Sequence, residues 1–225
     1  KRKEKIVSSR KNSTTLLSDT ISNLEKKPEV FMVASAIGYY GNRGDEELTE
    51  ESSPGEGFLS DTTQAWESYA DSARKSGVRV VNIRTGIVLS AVGGALGRML
   101  LPWKLGGGGK IGGGKQWMSW ISMDDQVYAM HHLMMTENTD GAYNLTAPIP
   151  AQQKVFAKTL GKVLRRPAFA PIPKISMRIL FGELAGPLLF EGQHVLPERL
   201  QDSGYKFVHE NLEPALRDSL GIWKQ

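Results

Sequence analysis

A hydroxyl where a buried parallel strand stops faces the crevice in which such sheets bind their ligands, and Ser35 is such a hydroxyl. It opens the segment Ser35-Ala36-Ile37-Gly38-Tyr39-Tyr40-Gly41, directly after the apolar run Val30-Phe31-Met32-Val33-Ala34. An unbroken run of this kind is the pattern of a parallel strand covered on both faces. Doubly wound α/β folds bind their ligands in the crevice beyond the carboxyl ends of such strands. A strand that simply closes in a small-residue turn would use the same letters, so the segment takes its meaning from what surrounds it.

Other chemistry-bearing candidates are weaker. Gly109 to Gln116 nearly spells a phosphate-binding loop, but Gln116 stands where that loop needs Ser or Thr for magnesium. A flexible substrate-side loop is the better reading. His131 and His132 are adjacent in a helix and point about 100° apart, while His194 and His209 offer no ligand spacing. With no cysteine, thiolate metal sites and disulfides are excluded, and no metal is expected. Trp117 and Trp120 can stack on a substrate base or sugar, or fill the core. Met130, Met134 and Met135 read as packing.

The elements that must position these groups come from a soluble-type chain of 225 residues, 40% hydrophobic and 23% charged, with net charge +4. Lysine and arginine are dispersed rather than clustered with aromatics, so no nucleic-acid footprint is present. The most apolar stretch, Ile175 to Phe190, carries Arg178, Glu183 and Pro187 and is too short and charged to span a bilayer. Asn12-Ser13-Thr14 and Asn144-Leu145-Thr146 match the glycosylation pattern without a secretory signal to give it meaning.

Periodicity places a helix at the start, with Ile6, Arg10, Ser13, Leu17, Ile21 and Leu24 on one face. After the Val30–Ala34 strand come an acidic loop from Asn42 to Gly57, a helix from Phe58 to Lys75 and a strand from Val78 to Arg84 ending at Thr85-Gly86. A helix from Ala95 to Leu105 is broken by Pro102; the glycine-rich Gly106–Gly114, a strand at Trp120-Ile121, a helix from Asp124 to about Glu137 and a strand over Ala142–Leu145 follow. Asp124 or Asp125 suits the N-terminus of that helix. Proline becomes frequent from Thr146, which divides the chain into 1–146, the later part of a doubly wound sheet domain, and 147–225, a small α-rich lobe. The lobe is expected to hold helices over Gln152–Leu164, Lys174–Leu184 and Pro197–Asp202, a strand at Tyr205-Lys206-Phe207 and a final helix capped by Asn211. No Gly-x-Gly-x-x-Gly turn joins a strand to a helix (Gly107 to Gly112 spell the letters only inside the glycine-rich segment), and no strand precedes the first helix. The expectation is that two or three βα units, with the phosphate-binding turn, lie upstream of Lys1.

Trp117-Met118-Ser119-Trp120-Ile121-Ser122-Met123-Asp124-Asp125 makes a family resemblance specific. The chain resembles the epimerase-family branch of atypical extended short-chain dehydrogenases/reductases, which includes bacterial sugar-nucleotide epimerase-like proteins and the plant giant-chloroplast plastid-division protein. Matching blocks run nearly end to end: Ser9-Arg10, Ser35 to Gly41, Leu48-Thr49-Glu50, Trp66-Glu67, Arg84 to Leu89, Gly93-Gly94-Ala95, Leu105-Gly106, Ala147-Pro148, Arg166-Pro167-Ala168-Phe169 and Glu191 to Pro197.

The resemblance implies a Rossmann-like doubly wound parallel sheet that binds NADP(H), with a C-terminal lobe over a small-molecule substrate. Arg84, Thr85, Gly86, Ile87 and Val88 then line the cofactor by their backbone, together with Ala34, Ser35 and Ala36. Ser35 holds a substrate oxygen, with a registration uncertain by one residue. Arg10 reaches the cofactor or is a solvated helix charge. Ordinary relatives use a Tyr-x-x-x-Lys pair whose lysine lowers the tyrosine pKa; here Thr63 and Glu67 stand in those places. Tyr39 and Tyr40 are replacement acids or loop packing, and Glu67 is a general base or a helix-surface group. Two functions follow: a weak oxidoreductase or epimerase on a nucleotide-sugar-like substrate, or a non-catalytic nucleotide-binding scaffold with a protein partner. The compartment implied is cytoplasmic, or the plastid stroma if a transit peptide precedes Lys1.

Overall fold

The computed structural model describes residues 2–168, 172 and 191–223. The helix expected at Lys174–Leu184 lies outside them. Helix α1 (Arg2–Ser22) leads into strand β1 (Val30–Ala36) and a 3-10 turn (Ile37–Tyr40). Strand β2 (Glu47–Leu48), helices α2 (Phe58–Ser68) and α3 (Asp71–Lys75), and strands β3 (Arg79–Thr85) and β4 (Ile87–Leu89) follow. Then come α4 (Gly94–Lys104), β5 (Trp117–Met118), β6 (Trp120–Ser122), α5 (Met123–Met135) and β7 (Gly141–Leu145). The last part holds β8 (Ala151–Gln152), α6 (Gln153–Leu164), β9 (His194–Val195), α7 (Glu198–Asp202) and α8 (Leu212–Ser219).

Strands β1, β3 and β7 form one parallel sheet in that order, with Val30 opposite Arg79 and Val81 opposite Gly141. Both faces are covered, as near-continuous apolar strands require. Side chains alternate across a strand, so Val33, Val78 and Val80 pack with Ala70, Ala73 and Trp66 on the side of α1, α2 and α3. Val81, Ile83, Tyr143 and Leu145 face Ala129 and Leu133 of α5 and Leu200 of α7. The fold is the Rossmann-like parallel α/β arrangement.

A second core joins α4, α6 and α8 through Leu96, Trp103, Phe156, Leu160, Ala215 and Leu216, with Leu89 and Trp120. Its members come from both sides of Thr146.

Several local expectations change. The helix expected over Phe58–Lys75 is two helices, interrupted at Tyr69 and Ala70. Pro102 lies inside α4 without ending it. On α1 the buried face is Thr14 and Ser18, while Leu16 and Leu17 are exposed. That helix docks by hydrogen bonds: Trp66 Nε1 donates to Thr14 Oγ1 (2.9 Å) and Ala73 N to Ser18 Oγ (2.9 Å). The acidic loop is not wholly irregular, because its Glu47–Leu48 pairs in parallel with His194–Val195.

Tyr205-Lys206-Phe207 is not a strand. The reason is Asp125, which is fully buried. Its carboxylate accepts from Tyr205 OH (2.9 Å), Val208 N (2.7 Å) and His209 N (3.0 Å). The amides of Val208 and His209, just past the expected strand, are thereby committed to a side chain rather than to a neighbouring strand. Asp124 and Asp125 lie in the first turn of α5, as expected, and Ser122 caps it: its Oγ accepts from Asp125 N and donates to Asp125 Oδ2. Burial first, then the hydrogen bond to Asp125, holds the Tyr205 phenol well above its ordinary value.

Replacing Asp125 by Ala leaves these buried donors without an acceptor, each a loss of about 1–3 kcal/mol. Urea denaturation is expected to show Asp125→Ala destabilised by roughly 3 kcal/mol or more, with Asp125→Asn intermediate.

Candidate functional site

Parallel register builds the site. Ser35 on β1 lies opposite Arg84 on β3, and Arg84 lies opposite Asn144 on β7. These three polar residues form one row across the sheet, one step from its carboxyl edge. Their side chains emerge on the α2 side, where Glu67 closes the row. Ser35 Oγ donates to Glu67 Oε1 (2.6 Å). Arg84 grips the same carboxylate with both arms, Nε to Oε1 at 2.8 Å and Nη2 to Oε2 at 2.9 Å. The side chains of Arg84 and Glu67 are 5% and 11% exposed, which makes this a buried, bidentate pair.

The network continues through Tyr40. Arg84 Nη1 donates to Tyr40 OH (3.0 Å), and Tyr40 OH donates to Asn144 Oδ1 (2.7 Å). Asn144 Nδ2 donates to the Leu196 carbonyl. Glu50 completes it, accepting from Asn144 N (2.8 Å) and Arg199 N (3.3 Å). The Arg84 guanidinium also lies 3.5 Å from the Tyr39 ring centroid, a cation–π contact.

The electrostatics follow from burial. Desolvation dominates at Tyr40 and pushes its phenol up to about 12, although Arg84 pulls the other way. Burial works against the Arg84 charge, but Glu67 and Tyr40 outweigh it and hold the guanidinium more firmly protonated than usual. Glu50 is raised, by burial before all else.

The sequence-expected site residues fall into three groups. Ser35, Tyr39, Tyr40, Glu67 and Arg84 come together in the network. Ala34, Ala36, Thr85, Gly86, Ile87 and Val88 lie at or near the carboxyl ends of β1, β3 and the start of β4. Gly86 N donates to the Leu145 carbonyl and Ile87 N to the Ser119 carbonyl, so these two backbone donors serve the protein itself. Ala34 is exposed although its strand neighbours Val33 and Ser35 are buried, and Ala36 is half-buried.

Arg10, Trp117 and Trp120 lie outside the network. Arg10 sits 5.2 Å over the Trp66 ring, on the α1–α2 contact. Trp120 is fully buried, its Nε1 bonded to the Ile149 carbonyl, and is core rather than a platform for a sugar. Trp117 stacks on His194 at 3.8 Å and donates to Asp45 Oδ1 (2.7 Å). Thr63 Oγ1 is tied to the carbonyls of Leu59 and Ser60 in its own helix.

Glu50 and Asn144 were not singled out as site residues from the sequence. The signal for Asn144 is an amide inside an apolar strand, where burial demands a partner. For metals, the fold brings His209 together with Asp124 and Asp218, with ligand atoms within 4.8 Å, despite their spacing. This group lies between α5 and α8 and takes no part in the network.

Chemically, both Glu67 oxygens are taken by donors and Tyr40 is spent between Arg84 and Asn144. Among the described residues, the row holds its protons rather than presenting them.

The chain is 39% identical over 218 residues to an epimerase family protein of Staphylococcus aureus (strain MRSA252), an alignment covering 96% of this chain and 72% of that relative. The chain belongs to the epimerase family of atypical short-chain dehydrogenases/reductases. An epimerase family protein of Mycobacterium bovis is 40% identical over 183 residues, 81% of this chain, which spans only 61% of that relative's length. Residues 172–219 match a domain of unknown function, DUF1731. In structure, this epimerase-family chain superposes on the human epimerase family protein SDR39U1 (isoform 2), crystallised with NADPH, with a TM-score of 0.90 and 34% identity, covering 97% of the chain and 74% of the human one. A nucleoside-diphosphate sugar epimerase from Corynebacterium glutamicum gives a TM-score of 0.81 at 30% identity, covering 97% of this chain and 43% of that one.

Glu67→Gln removes the charge that Arg84 needs and leaves a buried guanidinium unpaired. Its expected cost in urea denaturation is roughly 3–5 kcal/mol, with Ser35→Ala costing about 1 kcal/mol.

Alkaline stability reports on Tyr40. Its folded-state pKa lies above the ordinary 10.0, so its contribution is complete below pH 10 and is lost as pH rises from 10 towards 12. At about 1.36 kcal/mol per unit, the loss is on the order of 3 kcal/mol. Denaturation midpoints of wild type and Tyr40→Phe followed across that window are expected to show a shallower decline for the variant.

Proposed function

We propose that this chain binds NADP(H) in the crevice at the carboxyl ends of β1 and β3, and acts there as a weak oxidoreductase or epimerase on a nucleotide-sugar-like alcohol or carbonyl. The observation that carries the reading is the pair of parallel strands, Val30–Ala36 and Arg79–Thr85, that end together in small residues. The NADPH bound by the human relative, over a superposition spanning 97% of this chain, supports it. Ala34, Ala36 and Thr85 leave room for a flat ring. The Gln126 amide oxygen is buried without a partner among the described residues, while its Nε2 reaches Thr85 Oγ1 (3.4 Å). An acceptor left open beside Thr85 fits a ligand that carries N–H or O–H donors.

The bound cofactor would supply the hydride chemistry. The chain's part is to orient: Ser35, held by Glu67, fixes the strand end, and Gln126 and Thr85 offer polar contacts at the rim. No residue here is assigned to the cofactor's pyrophosphate: the Gly-x-Gly-x-x-Gly letters at Gly107 to Gly112 follow helix α4 and do not join a strand to a helix.

The second reading is a nucleotide-binding scaffold or regulator, acting in division or complex assembly through a protein partner. The replacement of the tyrosine–lysine relay by Thr63, bonded into its own helix, and Glu67, neutralised by Arg84, supports it.

Fluorescence titration of the full-length protein with NADPH, followed by hydride transfer on sugar nucleotides, separates the two. The first reading expects saturable binding and slow turnover; binding without turnover on any sugar nucleotide selects the scaffold. Ala36→Leu, which fills the strand end, is expected to weaken NADPH by about tenfold or more while leaving the melting temperature within a few degrees. Unchanged affinity in that variant would remove the crevice as the binding place.

A further inference from the structure

At the carboxyl end of α6 the surface opens into a cavity of about 590 Å³. Five cationic residues line it, Lys110, Lys158, Lys162, Arg165 and Arg166, and among the described residues no acidic one does. Lys162 is paired with Glu213 at 2.7 Å, and Arg166 spends its Nε on the Lys104 carbonyl (3.0 Å). Among the described residues, Lys110, Lys158 and Arg165 have no anionic partner.

Cations in the last turn of a helix suit its carbonyl end. That explains Lys162, Arg165 and Arg166, but not Lys110, which arrives from the glycine-rich segment. Its backbone is pinned there: the Lys110 carbonyl accepts from Ile172 N (2.8 Å) and Ile111 N donates to Gln153 Oε1 (2.9 Å). Two elements thus fix like charges around one hollow, a repulsion that an anion relieves.

Arg165 carries the argument further. It follows the last residue of α6 in the left-handed conformation, φ 53°, and is the one non-glycine with positive φ among the described residues. Glycine is the low-strain residue at such a helix terminus. The chain instead holds an arginine, and its side chain lines the cavity.

We propose that this cavity binds a compact, multiply charged phosphate anion, at a place separate from the strand-end crevice. Its size is that of small-molecule sites, arginine forks match phosphate oxygens, and among the described residues the lining has no aromatic for stacking a nucleic-acid base.

The test is calorimetric titration of the full-length protein with inorganic tripolyphosphate, with saturating NADPH present to occupy the crevice. Micromolar binding that weakens with added salt is expected. Arg165→Gly suits the turn and is expected to keep or raise the melting temperature; combined with Lys158→Ala it should lower affinity by about tenfold or more. Lys26→Ala, away from the cavity, should leave it unchanged. Equal affinity in wild type and the double variant overturns the proposal, as does displacement of tripolyphosphate by NADPH. Tighter, equally sensitive binding of a short single-stranded RNA would overturn it in favour of a nucleic-acid surface.

Discussion

The constraint on which the site depends is the charge of Arg84. A guanidinium set into the face of a parallel sheet, with its side chain 5% exposed, has lost most of its water. Desolvation on that scale is tolerable only with a close counter-charge and satisfied donors. Glu67 supplies the charge, and Tyr40 takes a third donor. That single requirement fixes the rotation of α2 about its axis, because Glu67 must face β3. It draws the turn after β1 inward as well, because Tyr39 and Tyr40 must reach the guanidinium. Sheet, helix and turn are locked by one buried ion.

This lock bears on the chemistry. In a relay of tyrosine and lysine, a nearby positive charge lowers the phenol's pKa and keeps it reactive. Here a positive charge is also close to a tyrosine, yet burial outweighs it and Tyr40 moves the opposite way. Its proton is further held by Asn144. The same residue types that serve catalysis at a solvent-facing crevice serve cohesion one layer deeper. A glutamate four residues after Thr63 is therefore not a defective lysine. It is the counter-ion of a different arrangement.

The sheet was legible because its signals are local: Val30–Ala34 and Val78–Arg84 are apolar runs bounded by breakers, and they pair in parallel as expected. The network was only half legible. Ser35, Tyr39, Tyr40, Glu67 and Arg84 were marked as chemically interesting, but the row depends on register, which pairs Arg84 with both Ser35 and Asn144 across long sequence separations. No local pattern encodes that. The misread strand at Tyr205 has a similar cause. Its alternation is real, but the partner for the following amides is a carboxylate 83 and 84 residues earlier, and a side chain can replace a strand without leaving a period behind. On α1, helical periodicity favoured Leu17, whereas the small hydroxyls Thr14 and Ser18 do the docking, because a close helix–helix approach suits small donors and acceptors.

The strand end and the C-terminal segment are one piece of structure, and two glycines show why. A Cβ on Gly86 would lie 2.4 Å from the Ser119 carbonyl oxygen, and one on Gly192 would lie 2.3 Å from Trp117 N. Backbone meets backbone at both places, so neither position tolerates a side chain. Between them Ser119 binds both sides of the seam, donating to the Gln193 carbonyl (2.6 Å) and accepting from Val195 N (2.9 Å). Leu48 joins the same layer through its pairing with Val195. The segment from Gly192 to Leu196 therefore cannot swing as an independent lid: moving it would break the Ser119 bonds and the β2–β9 pair and would free Asn144 Nδ2 from the Leu196 carbonyl. The stacked pair of Trp117 and His194 sits in the same fixed layer, since the backbone packed against Gly192 and the bonds of Ser119 hold the chain on both sides of it.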